Sequence, residues 1–297
     1  MVSEIAVSGI NEAPPRVSEW RRFRRVFFSR GVVIFGLVVI IALVLVAIFA
    51  PLIAPYDPYK TNLSAALQGP SHTHLLGTDS LGRDTLSRII YGTRTSLEIG
   101  LVVVAIASLV GMTLGILAGY YGGWTYTIIM RFIDALMSFP MILLALVIAS
   151  LLGSGMKNVI IALSISLMPS YARMMCGQVL SVKQNDYILA SRSMGSDDWR
   201  VMLRHVFLNC IPPLIILMTM MLGSTILAEA SLSFLGIGVR PPTPAWGSMV
   251  NDGRDYLLTL PILSFAPGLT IMLVVFAFNM VGDGLRDALD PRLRGTL

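Results

Sequence analysis

Long stretches without a single charged residue govern what this chain can become. They are Gly31–Tyr56, Ile99–Met130, Ala135–Met156, Asn158–Ala172, Val206–Ala228 and Tyr256–Gly282. A helix needs ~20 apolar residues to cross the hydrocarbon of a bilayer. Charged residues make up 13% of the 297 positions and cluster between these runs, whereas soluble proteins average about 25%. A disordered chain, a disulfide scaffold and an ordinary soluble globule are excluded. A polytopic membrane protein remains.

Ile99–Met130 is too long for one span and breaks at Gly119-Tyr120-Tyr121-Gly122-Gly123, a turn signal. The run from Asn158 continues past Arg173 to Cys176. The sequence therefore predicts an all-α protein with six transmembrane helices near 31–53, 96–118, 127–151, 158–177, 211–235 and 260–282. The first is the most apolar. Fifteen of the residues from Val32 to Phe49 are Val, Ile, Leu or Phe, which sums to roughly −7 kcal/mol on the insertion scale. A cleaved signal peptide fits poorly: Pro51 follows a cut at Ala50, and Ile48 stands where a small residue is wanted. An uncleaved anchor is expected.

Orientation follows from Lys and Arg. Arg16, Arg21, Arg22, Arg24, Arg25, Arg30, Arg131, Arg173, Lys183, Arg192, Arg200, Arg204, Arg286, Arg292 and Arg294 fall on one side of the six-span topology, fifteen in all. Lys60, Arg83, Arg88, Arg94, Lys157, Arg240 and Arg254, seven, fall on the other. The positive-inside rule makes both termini cytoplasmic. The basic residues thus act as topology signals, and the net charge of +5 does not indicate a nucleic-acid partner. The expected organisation is a cytoplasmic tail over 1–30 and a first span with its outside loop over 31–95. A five-helix core over 96–285, with a cytoplasmic loop at 178–209, and a cytoplasmic tail over 286–297 follow. Residues 1–16 read as disordered; no internal repeat is visible.

Three polar segments carry more than loop composition. In His74–Gly100, Asp79, Arg83 and Asp84 can form an ion-paired cap, and Leu81, Leu86, Ile89 and Ile90 suggest a short amphipathic helix on the membrane. A solvated loop that positions the second span is the alternative. In Ala172–Asn209, Asn185 or Asp186 can cap a short helix through Met194, which Gly195 ends. Ser196 can cap a second helix with Asp197 and Asp198 in its first turn. Tyr187, Ala190 and Met194 share one face of the first, which suits a partner's groove; a helix lying on lipid headgroups is the alternative. Ser231–Tyr256 is too rich in Gly and Pro for one continuous helix, and its Trp246 suits a membrane interface.

Glu98, Asp134 and Glu229 lie close to apolar runs. Intramembrane acids face a bundle interior or an aqueous cavity, and Asp134 can pair with Arg131 or Arg173. His72 and His74 supply two possible metal ligands, too few to define a site. Cys176 and Cys210 read as small buried hydrophobes. None of the three lysines, Lys60, Lys157 and Lys183, follows a glycine, so the chain holds no phosphate-cradling G-x-x-x-x-G-K-[ST] loop. H-E-x-x-H and G-x-S-x-G are also missing from the sequence.

LGTDSLGRDTLSRIIYGTRTSL, ASLSFLGIGVRPPTPAWGSMV and GDGLRDALDPRLRG resemble the permease subunits of dipeptide/oligopeptide ABC importers, specifically their second, "C"-type permease. The resemblance runs from about Trp20 to Gly295. The inside loop is similar to the family's E-A-A-x-x-x-G coupling loop at Leu189, Ala190, Ser191 and Gly195, followed by His205-Val206-Phe207-Leu208. Leu189 replaces the acidic residue, Ser191 the second alanine, and Leu208 a frequent proline.

The resemblance implies the type I importer permease fold, with five core helices and a peripheral first helix. It implies a homologous second permease, two cytoplasmic ATPase subunits that hold ATP and Mg, and an extracytoplasmic solute-binding protein. This chain itself is expected to bind no cofactor or metal and to be no enzyme. The expected setting is the inner membrane of a prokaryote, and the expected cargo is dipeptides or short oligopeptides; nickel, glutathione or oligosaccharide are alternatives. A passive channel or ion-coupled carrier is one rival reading, and an intramembrane enzyme whose turnover depends on Asp134 or Glu229 is the other. Asp186, Leu189, Ala190, Ser191, Arg192, Gly195 and Asp198 are the expected ATPase-coupling residues. Asp134, Glu229 and Met168 are pathway or gating candidates, and Asp79, Gly82, Arg83 and Asp84 form the outside-loop motif.

Overall fold

The computed structural model describes residues 19–289. The stretch expected to be disordered, 1–16, and the tail beyond Leu289 lie outside the described residues. Arg16, Arg292 and Arg294 fall there too.

Among the described residues the secondary structure is helical, with no strand. Five helices are long and apolar enough to cross a membrane. A short basic helix α1 (Glu19–Phe27) precedes α2 (Gly31–Ile53), which has the limits expected from the sequence. Next come α3 (Thr85–Tyr121), α4 (Gly123–Met137), α5 (Met141–Leu152) and α6 (Met156–Val182). The chain continues with α7 (Asp186–Ser193), α8 (Asp198–Arg200), a π-helical stretch (Val201–Phe207) and α9 (Leu208–Phe234). It closes with α10 (Trp246–Arg254) and α11 (Ile262–Leu289).

Three departures from expectation have local causes. The second span starts at Thr85 rather than near 96, so the expected amphipathic helix forms its first turns. Asp84 caps it, accepting from the Ser87 backbone N–H at 2.8 Å and from Ser87 Oγ at 2.7 Å. The third span is broken: α4 and α5 meet at 89°. Pro140 offers no N–H and disfavours helical geometry at Phe139. With this pair counted as one crossing the spans number six. The fifth span is loosened where it begins, by the π-helical stretch just before α9 and by Pro212 and Pro213 within its first turns.

Lipid is as apolar as leucine, so helices in a bilayer associate through close packing rather than hydrophobic burial. Gly111, Gly115 and Gly119 supply it. They line one face of α3 against α6, where an added Cβ at Gly111 would lie 2.6 Å from the Met168 carbonyl oxygen and at Gly119 2.8 Å from Val179 Cβ. At Gly115 it would overlap the Ala172 carbonyl. Around this seam Ile99, Val103, Ala107, Leu163, Leu167 and Tyr171 form the main core. By contrast α2 buries only Val33, Gly36 and Ala50, and sits at the periphery against α11 and α3.

The segment after α9 does not present Trp246 to a membrane interface. The indole is fully buried, because its Nε1 donates to the Ile89 carbonyl at 3.1 Å and its ring sits on Gly92, 2.8 Å from where a Cβ there would stand. A buried indole N–H needs such a partner. Both cysteines are free and buried, as expected.

Candidate functional site

The helix–Gly–helix segment forms, with both caps changed: Asn185 stands at the N-cap of α7 without a side-chain capping hydrogen bond. Helix α7 ends at Ser193, and Gly195 carries the turn at φ +78°. Nothing lies within 4 Å of a Cβ built there, so the glycine serves backbone conformation rather than space. Asp197, not Ser196, caps α8 by accepting from the Trp199 N–H at 3.1 Å. Ser196 instead accepts a hydrogen bond from Ser191 Oγ, at 3.1 Å.

The two faces of α7 differ. Ile188 and Ser191 point inward, while Tyr187, Leu189, Ala190 and Met194 are exposed, Met194 by 79%. Leu189 lies about 100° round the helix from Ala190, and so beside the stripe read from the sequence rather than on it. Asp186 and Asp198 are exposed as well.

Sequence reasoning missed the residue on which this segment converges. Tyr120, at the end of α3, is 2% exposed. Its hydroxyl donates to Asp198, and its carbonyl accepts from Lys183 Nζ at 2.6 Å. The Arg192 guanidinium lies 4.8 Å from its ring centroid, within cation–π range. One tyrosine therefore ties the end of α6, helix α7 and helix α8 to α3. The signal in the sequence was Gly119-Tyr120-Tyr121-Gly122-Gly123, which reads as a turn and conceals a buried anchor.

A second feature gathers the charges of α4 and α6. Arg173 Nη2 forms an ion pair with Asp134 Oδ1, and the two side chains are 50% and 49% exposed. With Tyr126, Thr127, Met130 and Arg131 they line an open recess of about 400 Å³. The other two pathway candidates sit elsewhere. Met168 is buried in the core against α3. Glu229 is fully buried between α9 and α3, accepting from Ser233 Oγ at 2.7 Å and Ser96 Oγ at 3.4 Å.

The motif of Asp79, Gly82, Arg83 and Asp84 is a knot. Asp79 accepts from the Leu81 and Arg83 N–H groups, both at 2.9 Å, and from Arg83 Nε at 2.7 Å. Gly82 has φ +71°, and a Cβ there would overlap the Asn62 carbonyl. Asp84, besides capping α3, meets His74 Nδ1 at 2.9 Å, so His74 is already engaged. Arg88 is buried and reaches the Pro58 carbonyl at 3.2 Å and Pro242 at 3.4 Å. The motif thus joins the loop after α2, the start of α3 and the segment before α10. Among the described residues no group of three or more His, Cys, Asp or Glu could hold a metal.

Residues 111–295 match the family described as "Binding-protein-dependent transport system inner membrane component". Residues 18–70 match "N-terminal TM domain of oligopeptide transport permease C". The chain is 44% identical over 276 residues to the glutathione transport system permease protein GsiD of Pectobacterium atrosepticum, covering 93% of this chain and 92% of that one. It is 41% identical over 289 residues to the dipeptide transport system permease protein DppC of Alkalihalophilus pseudofirmus, covering 96% and 95%. A solved chain of the MetNI methionine ABC transporter, in an inward-facing conformation, is similar in fold. It aligns with TM-score 0.57 at 18% identity over 69% of this chain and 97% of that one.

Proposed function

The chain belongs to the inner membrane components of binding-protein-dependent transport systems, as the permease of an ABC importer, and on that premise we propose that it forms one half of the translocation pathway for dipeptides or short oligopeptides. A homologous second permease supplies the other half. Two ATPase subunits, holding ATP and Mg, dock on the inner side, and a solute-binding protein delivers cargo on the outer side. Both termini are cytoplasmic, in keeping with fifteen Lys and Arg on that side against seven on the other.

The observation that carries this reading is α7: a short helix with an exposed apolar stripe, tied through Tyr120 to the end of α3. A helix of this kind fits a groove on a partner. The chain has no phosphate-cradling loop of its own, so the energy enters from outside. ATP shifts a two-state equilibrium only by binding one state better than the other. When the ATPases close on ATP they carry their grooves together, and α7 with them. Tyr120 passes that displacement to α3, and the glycine seam passes it from α3 to α6. The outer faces then part and accept solute.

Glutathione is the second reading of the cargo. Relatives 44% and 45% identical are glutathione permeases by name, and glutathione is itself a short peptide. Nickel and oligosaccharide stand behind both. The deciding experiment reconstitutes the chain with its partner permease, ATPases and binding protein in vesicles. Uptake of labelled dipeptide is measured with unlabelled dipeptide, glutathione or nickel as competitor. Competition by unlabelled dipeptide at lower concentration than by glutathione supports the first reading, and competition by glutathione at lower concentration than by dipeptide replaces it with the second. Uptake by this chain without ATPases would make it a passive channel or carrier and sink the proposal.

A further inference from the structure

Helix α1 has nine residues, too few to be stable alone in water. Its inner face is accounted for: Phe23 and Phe27 pack with Val33, Val281, Leu285 and Ala288. Its outer face is not. Arg21, Arg24 and Arg25 are exposed there and line an open recess with Phe28. Arg21 lies three and four residues before Arg24 and Arg25, a spacing that sets like charges side by side and disfavours the helix. The neighbouring Arg30 is different, since it pairs with Asp287 at 2.8 Å. Among the described residues no carboxylate pairs with Arg21, Arg24 or Arg25.

We propose that Arg21, Arg24, Arg25 and Phe28 form a binding site for the headgroup phosphate of an anionic phospholipid. The proposal rests on α2 crossing the bilayer, not on which solute is carried. Three observations select this ligand. First, only Phe28, Ser29 and Arg30 separate α1 from Gly31, where α2 begins, so the guanidiniums sit at the depth of headgroups. Second, guanidinium groups match phosphate oxygens in charge and in planar, two-point hydrogen-bond geometry. Third, the Phe28 ring, 45% exposed, is held edge-on to Phe27 at 5.1 Å beside the cationic cluster. An apolar ring next to three cations suits a ligand with a phosphate and an acyl chain, as at interfacial basic helices. A soluble phosphate has no use for the ring.

The test uses the assembled transporter, purified and exposed to equal amounts of phosphatidylglycerol and phosphatidylcholine, with retained lipid counted by native mass spectrometry. The expected result is at least about fivefold preferential retention of phosphatidylglycerol, since each basic residue near the surface adds to anionic-lipid affinity. The triple change Arg21→Gln, Arg24→Gln, Arg25→Gln abolishes the preference, and the triple change to Lys keeps most of it. Preference unchanged in the Gln variant overturns the proposal. Displacement of the lipid by equimolar inorganic phosphate also overturns it, in favour of a soluble-anion site. Loss of ATPase subunits from the Gln variant with lipid retention intact overturns it in favour of a protein-docking face. If the Gln variant does not assemble, the unmodified transporter decides. Its preference must fall as salt is raised toward about 0.5 M, where exposed charges are screened within a few ångströms, and an unchanged preference overturns the proposal.

Discussion

The Arg192 guanidinium of α7 lies 4.8 Å from the centre of the Tyr120 ring at the end of α3. A helix on the surface of the protein is thereby tied to the longest helix in the structure through one aromatic side chain. The same side chain is also bonded to Asp198 through its hydroxyl. The two interactions can be removed separately.

Tyr120→Phe keeps the ring for Arg192 and loses the hydrogen bond to Asp198. A hydrogen bond to a charged group is worth ~1.5–3 kcal/mol, so uptake is expected to fall several-fold with assembly preserved. Tyr120→Ala removes the cation–π contact as well, ~0.5–2 kcal/mol. The expected signature is loose coupling: more ATP hydrolysed per solute imported, measured in reconstituted vesicles. An unchanged ratio in Tyr120→Ala would show that Tyr120 only supports local structure.

Gly195 tests the turn between α7 and α8. Its φ of +78° disfavours any residue with a Cβ, while the space around it is open. A β-branched residue costs the most in this region and asparagine little. Gly195→Val is expected to cut uptake strongly, while Gly195→Asn keeps most of it. Normal uptake by Gly195→Val with ATPases bound counts against the role given to this turn.

The α3–α6 seam makes a prediction about stability. Gly115→Ala forces a Cβ against the Ala172 carbonyl, whereas at Gly177 on α6 nothing lies within 4 Å of a Cβ. Overpacking costs ~1–3 kcal/mol, and a mid-helix Gly→Ala at an open position gains roughly 0.5–1 kcal/mol. Gly115→Ala should therefore lower the thermal midpoint of the transporter and Gly177→Ala should leave it level or raise it. Equal midpoints for the two variants would remove the seam from the account.

The spans were legible because uncharged runs respond to a one-dimensional rule: a bilayer of fixed thickness needs a fixed length of apolar helix. Gly31–Ile53 follows from that rule without reference to any other part of the chain. The short helix before Gly195 was legible for a similar reason, since a positive φ is a local requirement, whereas the residues that cap the two helices were not. Tyr120 and Trp246 were not legible, because their roles come from residues far away in sequence, Asp198 and Ile89. The spacing of Gly111, Gly115 and Gly119 was present in the sequence as a close-packing pattern, hidden inside a run read only for hydropathy. The bend at Pro140 had its signal too, but the apolar residues on both sides satisfied the length rule for a single span.

Asp134 and Arg173 raise the remaining question, because each is about half exposed. An exposed ion pair adds only ~0–1 kcal/mol to stability. Charges on a membrane helix face water or another subunit rather than lipid. The pair therefore contributes little to holding α4 on α6, and its value lies in what it faces. Asp134→Asn is expected to lower uptake by about tenfold, equivalent to ~1.4 kcal/mol, with a thermal midpoint close to that of the unmodified transporter. The exchange Asp134→Arg with Arg173→Asp rebuilds the attraction but inverts the field in the recess, so assembly should be preserved and uptake should stay low. Uptake restored by the exchange would mean that the attraction between the two side chains is all that matters, and would count against any pathway role for the recess.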